Sequence, residues 1–119
     1  LSYINSDPER GDVVIFKFPD NRDIYYVKRV IGLPGETVDI VDGKVYINDS
    51  DTPLDEPYLP EPMEGSYGPY TVPEGCYFMM GDNRNNSLDA RFWKNQFVPK
   101  KDIMAKVLFC YYPRIGKVE

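Results

Sequence analysis

Residues 37–48, Thr-Val-Asp-Ile-Val-Asp-Gly-Lys-Val-Tyr-Ile-Asn, constrain the fold more than any other stretch of this chain. Apolar and polar side chains alternate on both sides of Asp42-Gly43, a dipeptide suited to the positive-φ positions of a type I′ turn. Closing the hairpin over two residues pairs Ile40 with Val45 and Val38 with Ile47 on one face. Asp39, Val41, Lys44 and Tyr46 take the other. Further strands are predicted around it. Residues 13–16, Val-Val-Ile-Phe, read as a short strand buried on both faces, and residues 24–31 as a second strand beyond the turn at Pro19-Asp20-Asn21. Residues 77–80 form a third, ending at Gly81. Residues 104–112 close the fold as a long strand with Ala105, Val107, Phe109 and Tyr111 on its apolar face.

Aromatic residues make up 14% of the chain, led by ten Tyr, and favour strands. Eleven Pro and nine Gly suit short strands joined by many turns. The fold class predicted is therefore mainly β: an antiparallel, coiled β-sheet domain with a hairpin and a long Pro-rich loop. That loop is residues 49–74, which hold six of the eleven prolines and too few aliphatic side chains for a core of their own. The 119 residues fit one small domain spanning 1–119.

Charge and composition exclude several kinds of function. The formal net charge is −5, and the basic residues lie dispersed among acidic ones, so no nucleic-acid surface is expected. The chain has no His, which removes every triad or metal site built on imidazole and leaves lysine, carboxylates and tyrosine as proton carriers. No metal and no cofactor are expected. Cys76 and Cys110 are too few and too far apart for a structural zinc site, and read as two buried thiols or as one disulfide. The longest apolar run, residues 107–112, is far short of the roughly 20 residues of a membrane span. Leu1 opens onto a polar turn, so the chain reads as a fragment with more sequence upstream.

Two places concentrate residues capable of chemistry. Alternation along residues 24–31 puts Ile24, Tyr26, Lys28 and Val30 on one face, and Tyr25, Val27, Arg29 and Ile31 on the other. A lysine among such face-mates loses solvation, which draws its pKa down from about 10.4 toward values useful to a general base. Alternatively its stem covers the sheet while the ammonium reaches water. The second place is residues 81–91, Gly-Asp-Asn-Arg-Asn-Asn-Ser-Leu-Asp-Ala-Arg. If the end of this loop is extended, Ser87, Asp89 and Arg91 share a side, where Asp89 pairs with Arg91 and Ser87 reaches a neighbouring amine. A solvated polar turn with local hydrogen bonds is the plainer alternative.

Three segments in order, residues 10–16, 26–36 and 81–91, resemble three consecutive signature boxes of bacterial type I signal peptidases. The resemblance extends over roughly residues 10–112. It implies an antiparallel β fold beside the membrane, on its extracytoplasmic face, and cleavage of signal peptides from secretory preproteins after small residues. By this resemblance Lys28 is the general base and Ser87 orients it. Asp82, Asp89, Arg91 and Arg29 hold the site in shape. Ile15, Tyr26 and Val27 line a groove in which the signal peptide lies as an added strand.

The family's Ser-Met-x-Pro box with the nucleophilic serine, and its membrane anchor, find no counterpart in these residues. The resemblance therefore implies that the fragment is inactive alone. Ala90 stands where relatives often carry serine. Two other readings remain at this point: a self-cleaving repressor-type Ser–Lys peptidase, and a non-catalytic extracellular β module that binds peptides or cell-wall material.

Overall fold

The computed structural model describes residues 6–108. Among the described residues eight strands follow one another: β1 (Val13–Lys17), β2 (Tyr25–Gly32), β3 (Thr37–Val41), β4 (Lys44–Ile47), β5 (Tyr67–Thr71), β6 (Cys76–Met80), β7 (Val98–Pro99) and β8 (Ile103–Lys106). A single 3₁₀ turn, Lys100–Asp102, separates the last two. The fold is antiparallel β. Five strands form one sheet in the order β7-β6-β2-β1-β8, and three form another in the order β4-β3-β5.

The hairpin forms in the expected register, with Ile40 opposite Val45 and Val38 opposite Ile47. Asp42 and Gly43 have φ of 48° and 79°, the two left-handed positions of the turn. Val38, Ile40 and Val45 are fully buried and belong to the same core as Val14, Phe16 and Phe78 of the larger sheet. Each such side chain removed from water contributes roughly 1.5–3 kcal/mol, so the core ties the two sheets together. Val13, Val14 and Phe16 are buried, as a strand covered on both faces requires, while Ile15 is only half-buried.

The structure departs from the sequence reading in three places. The stretch 49–74, read as loop throughout, contains β5, which pairs with β3. Its Gly-Pro dipeptide hides a strand from any propensity argument, and an edge position tolerates the missing proline N–H. The strand expected over residues 104–112 is shorter and begins one residue earlier, as Ile103–Lys106. Val107 still donates its N–H to Val13, while residues 109–112, including Cys110, lie outside the described residues. The short β7 was not expected. Val98 is buried in the core and faces Tyr77 across the β6–β7 ladder.

Candidate active site

Lys28 and Arg29 sit side by side in β2 and both are buried, at 6% and 8% exposure. Register explains why they do different work. Val14 lies opposite Lys28 and Phe16 opposite Tyr26, whereas Ile15 lies opposite Val27 and Val13 opposite Arg29. Lys28 therefore shares a face with Val14, Phe16 and Tyr26, and Arg29 shares the other with Val13, Ile15 and Val27. The Lys28 ammonium nitrogen lies 5.5 Å from the centre of the Tyr26 ring. It donates to Ser87 Oγ at 3.1 Å, and Ser87 itself is 3% exposed. Of the three residues expected to line a groove, Tyr26 is on the Lys28 face. Ile15 and Val27 meet each other on the opposite one.

The loop after β6 turns at residues 84–86 and again at residues 90–92, and charged hydrogen bonds hold it. Asp89, fully buried, accepts from Arg91 Nε at 2.8 Å and Nη2 at 2.9 Å. The same carboxylate takes the backbone N–H of Gly81 and of Arg91, both at 3.1 Å, so one acid gathers both ends of the loop. Asp82 takes Arg29 Nε at 2.8 Å and Nη2 at 2.7 Å, and Arg29 Nη1 reaches the Gly11 carbonyl at 2.7 Å. Downstream, the Trp93 indole N–H donates to Leu88 O at 3.0 Å, beside Ser87. Six of the residues singled out in β2 and the 81–91 loop thus meet in three pairs: Lys28 with Ser87, Arg29 with Asp82, Arg91 with Asp89.

Sequence reasoning missed a second ring of polar contacts. Arg84, 2% exposed, donates to Glu56 through Nη1 at 3.0 Å and Nη2 at 2.7 Å, and through Nε to Gly81 O at 2.8 Å. Burial pulls the guanidinium toward neutrality, but the Glu56 bonds and charge outweigh it and raise its pKa. Arg10 grips Glu36 at 2.6 and 2.9 Å, joining the chain before β1 to the chain after β2. Glu36 also accepts the Leu33 N–H at 2.7 Å. For Arg10 and Glu36 the signal was opposite charges in two signature-like segments, and for Glu56, in the Pro-rich stretch, there was none. Nothing in their spacing indicated who meets whom. Among the described residues no buried side-chain nitrogen or oxygen lacks a partner, and no cluster of potential metal ligands occurs.

Beside this site the strand ladder changes. β6 pairs with β2 only from Arg29 onward. Residues 25–27 have β1 as their strand neighbour, and no other among the described residues. The β2–β6 ladder thus stops next to Lys28, where β6 gives way to the Gly81 loop.

A family model described as signal peptidase, peptidase S26, matches residues 1–112. The chain belongs to the signal peptidase family. A probable signal peptidase I-2 from Synechocystis sp. is 42% identical over 123 residues, with 98% of this chain and 55% of that protein covered. Signal peptidase I S of Bacillus subtilis is 40% identical over 116 residues, covering 88% of this chain and 60% of its own length. The chain thus spans little more than half the length of these signal peptidase relatives. The crystal structure of a signal peptidase I from Enterococcus faecalis superposes with a TM-score of 0.71 at 35% identity, covering 87% of this chain and 98% of that one. The signal peptidase fold is therefore the fold of this chain. No helix among the described residues is long and apolar enough to cross a membrane.

Proposed function

We propose that this chain supplies the general base and the substrate groove of a signal peptidase I-type serine endopeptidase. The enzyme removes signal peptides from secretory preproteins at the extracytoplasmic face of the membrane. The observation that carries the proposal is the buried contact between Lys28 Nζ and Ser87 Oγ at 3.1 Å, beside the part of β2 that β6 does not pair. Lys28 is 6% exposed, and in the reaction proposed it acts as the neutral amine that accepts a proton.

That contact supports the following chemistry. A serine hydroxyl, delivered by a segment outside these 119 residues, gives its proton to the Lys28 amine and attacks the scissile carbonyl. Ser87 holds the amine in line. Backbone or side-chain donors around that serine stabilise the tetrahedral oxyanion. Lys28, now an ammonium, protonates the leaving amine and then activates water against the acyl-enzyme. Asp89 with Arg91 and Asp82 with Arg29 keep the loop and strand in register. The peptide adds along β2, and its alternate side chains turn toward Tyr26 on one face and toward Ile15 and Val27 on the other. A lysine base asks for no metal and no cofactor.

The test is cleavage of a preprotein substrate with small residues before the scissile bond. The full-length protein is expected to cleave it, and chain 1–119 alone is expected to leave it intact. Robust cleavage by the chain alone, abolished by Ser87→Ala, would make Ser87 the nucleophile and overturn the role given to it.

A further inference from the structure

Residues 53–62 carry prolines at 53, 57, 60 and 62. Proline fixes φ and cannot donate, so the segment follows a set course without joining a sheet. It is fastened by the Leu54 N–H to Val45 O and by the Leu59 N–H to Glu56 O. Between those points Glu56 and Tyr58 turn inward. The Tyr58 hydroxyl donates to Glu56 Oε2 at 2.6 Å. The Arg29 guanidinium lies 3.8 Å from the centre of the Tyr58 ring and that of Arg84 5.9 Å. Burial first, then the Glu56 bond and charge, push the Tyr58 hydroxyl well above its ordinary pKa, so it stays a donor.

These contacts join the two elements on which the site depends. Arg29 belongs to β2, next to Lys28. Arg84 belongs to the loop that presents Ser87, and its carbonyl accepts Arg91 Nη2 at 2.8 Å. We propose that Tyr58, set by Glu56, is a positioning residue that clamps the Lys28 strand and the Ser87 loop together through Arg29 and Arg84. The proposal rests on the peptidase reading given above. Tyr58 covers the Arg29 face of β2, opposite Lys28 and Tyr26, so it acts on the base through its neighbours.

The clamp is read in kcat. In the full-length protein, Tyr58→Leu, measured well below its melting temperature, is expected to lower kcat on the order of tenfold or more. Tyr58→Phe keeps the ring against both guanidiniums and is expected to retain most of the activity. Wild-type kcat in Tyr58→Leu would overturn the clamp, and so would a loss confined to KM. Activity surviving Lys28→Ala would instead overturn the peptidase reading. A second measurement needs no catalysis and uses chain 1–119. Glu56→Gln is expected to speed amide exchange in residues 81–91 while residues 37–48 keep their wild-type rates. Uniform acceleration across the chain, or none in 81–91, would overturn the proposal.

Discussion

Asp89 accepts four hydrogen bonds inside the protein, two from the guanidinium of Arg91 and two from backbone N–H groups. The paired side chains are 1% and 0% exposed. Removing one partner of a buried pair strands the other's charge away from water, which costs about 3–5 kcal/mol. Asp89→Ala is expected to destabilise the chain by that order, read from the urea midpoint. An unchanged midpoint would mean that Arg91 keeps a counter-charge from elsewhere. Acid sensitivity is set at the same scale. The Arg22 bonds and charge outweigh burial and hold the Asp102 carboxyl below its ordinary value. At Glu36 burial pushes upward, but Arg10 and the Leu33 N–H more than offset it, and this carboxyl too ends low. A depressed folded-state pKa contributes stability that is fully present above the unfolded value, near 4, and is lost as the pH falls through the folded value. Stability is therefore expected to hold from pH 7 to about 5 and to fall below about 4. Arg10→Gln and Arg22→Gln should flatten that fall. A melting temperature equally acid-sensitive in both variants would contradict the assignment.

At the scale of the element, the β3–β4 hairpin bears on more than its own strands. A Cβ built on Gly43 would sit 1.9 Å from the Met63 carbonyl oxygen, and the Gly43 N–H donates to Gly65 at 2.8 Å. The turn is thus the seat on which the end of the Pro-rich segment rests. Gly43→Val combines left-handed strain with that collision, and is expected to cost about 2–5 kcal/mol, seen as a lowered melting temperature. A wild-type melting curve would mean that the segment packs elsewhere. Legibility divides along the same line. The hairpin was readable because its alternation and its turn lie within twelve consecutive residues, and β1 and β2 because their apolar runs are local. β5 was not, since Gly68-Pro69 breaks the pattern and only its partner β3 makes it a strand. The end of β8 misled for the opposite reason. Val107 looks like strand, but the ladder with β1 runs only as far as Lys106.

Across the whole molecule, the site is a set of long-range meetings. Lys28 meets Ser87 over 59 residues, Arg29 meets Asp82 over 53, and Arg84 meets Glu56 over 28. Alternation showed that Lys28 and Arg29 part to opposite faces, and the resemblance of three segments named the residues to watch. Spacing could not show that Glu56 and Tyr58, in a stretch read as plain loop, reach the same centre. The reaction proposed for the molecule turns on one proton transfer, and Lys28 is the group asked to make it. The direct measurement is kcat/KM of the full-length protein against a small-residue signal-peptide substrate, compared with Lys28→Ala and Lys28→Arg, with Lys44→Ala as a control. General-base catalysis contributes roughly 10²–10⁴-fold, and a guanidinium stays protonated. Both Lys28 variants are therefore expected to fall at least about a hundredfold while melting as folded proteins, and Lys44→Ala to match wild type. Retention of more than about a tenth of the activity by Lys28→Arg would contradict the account, because a side chain that cannot give up its proton would then be serving as the base.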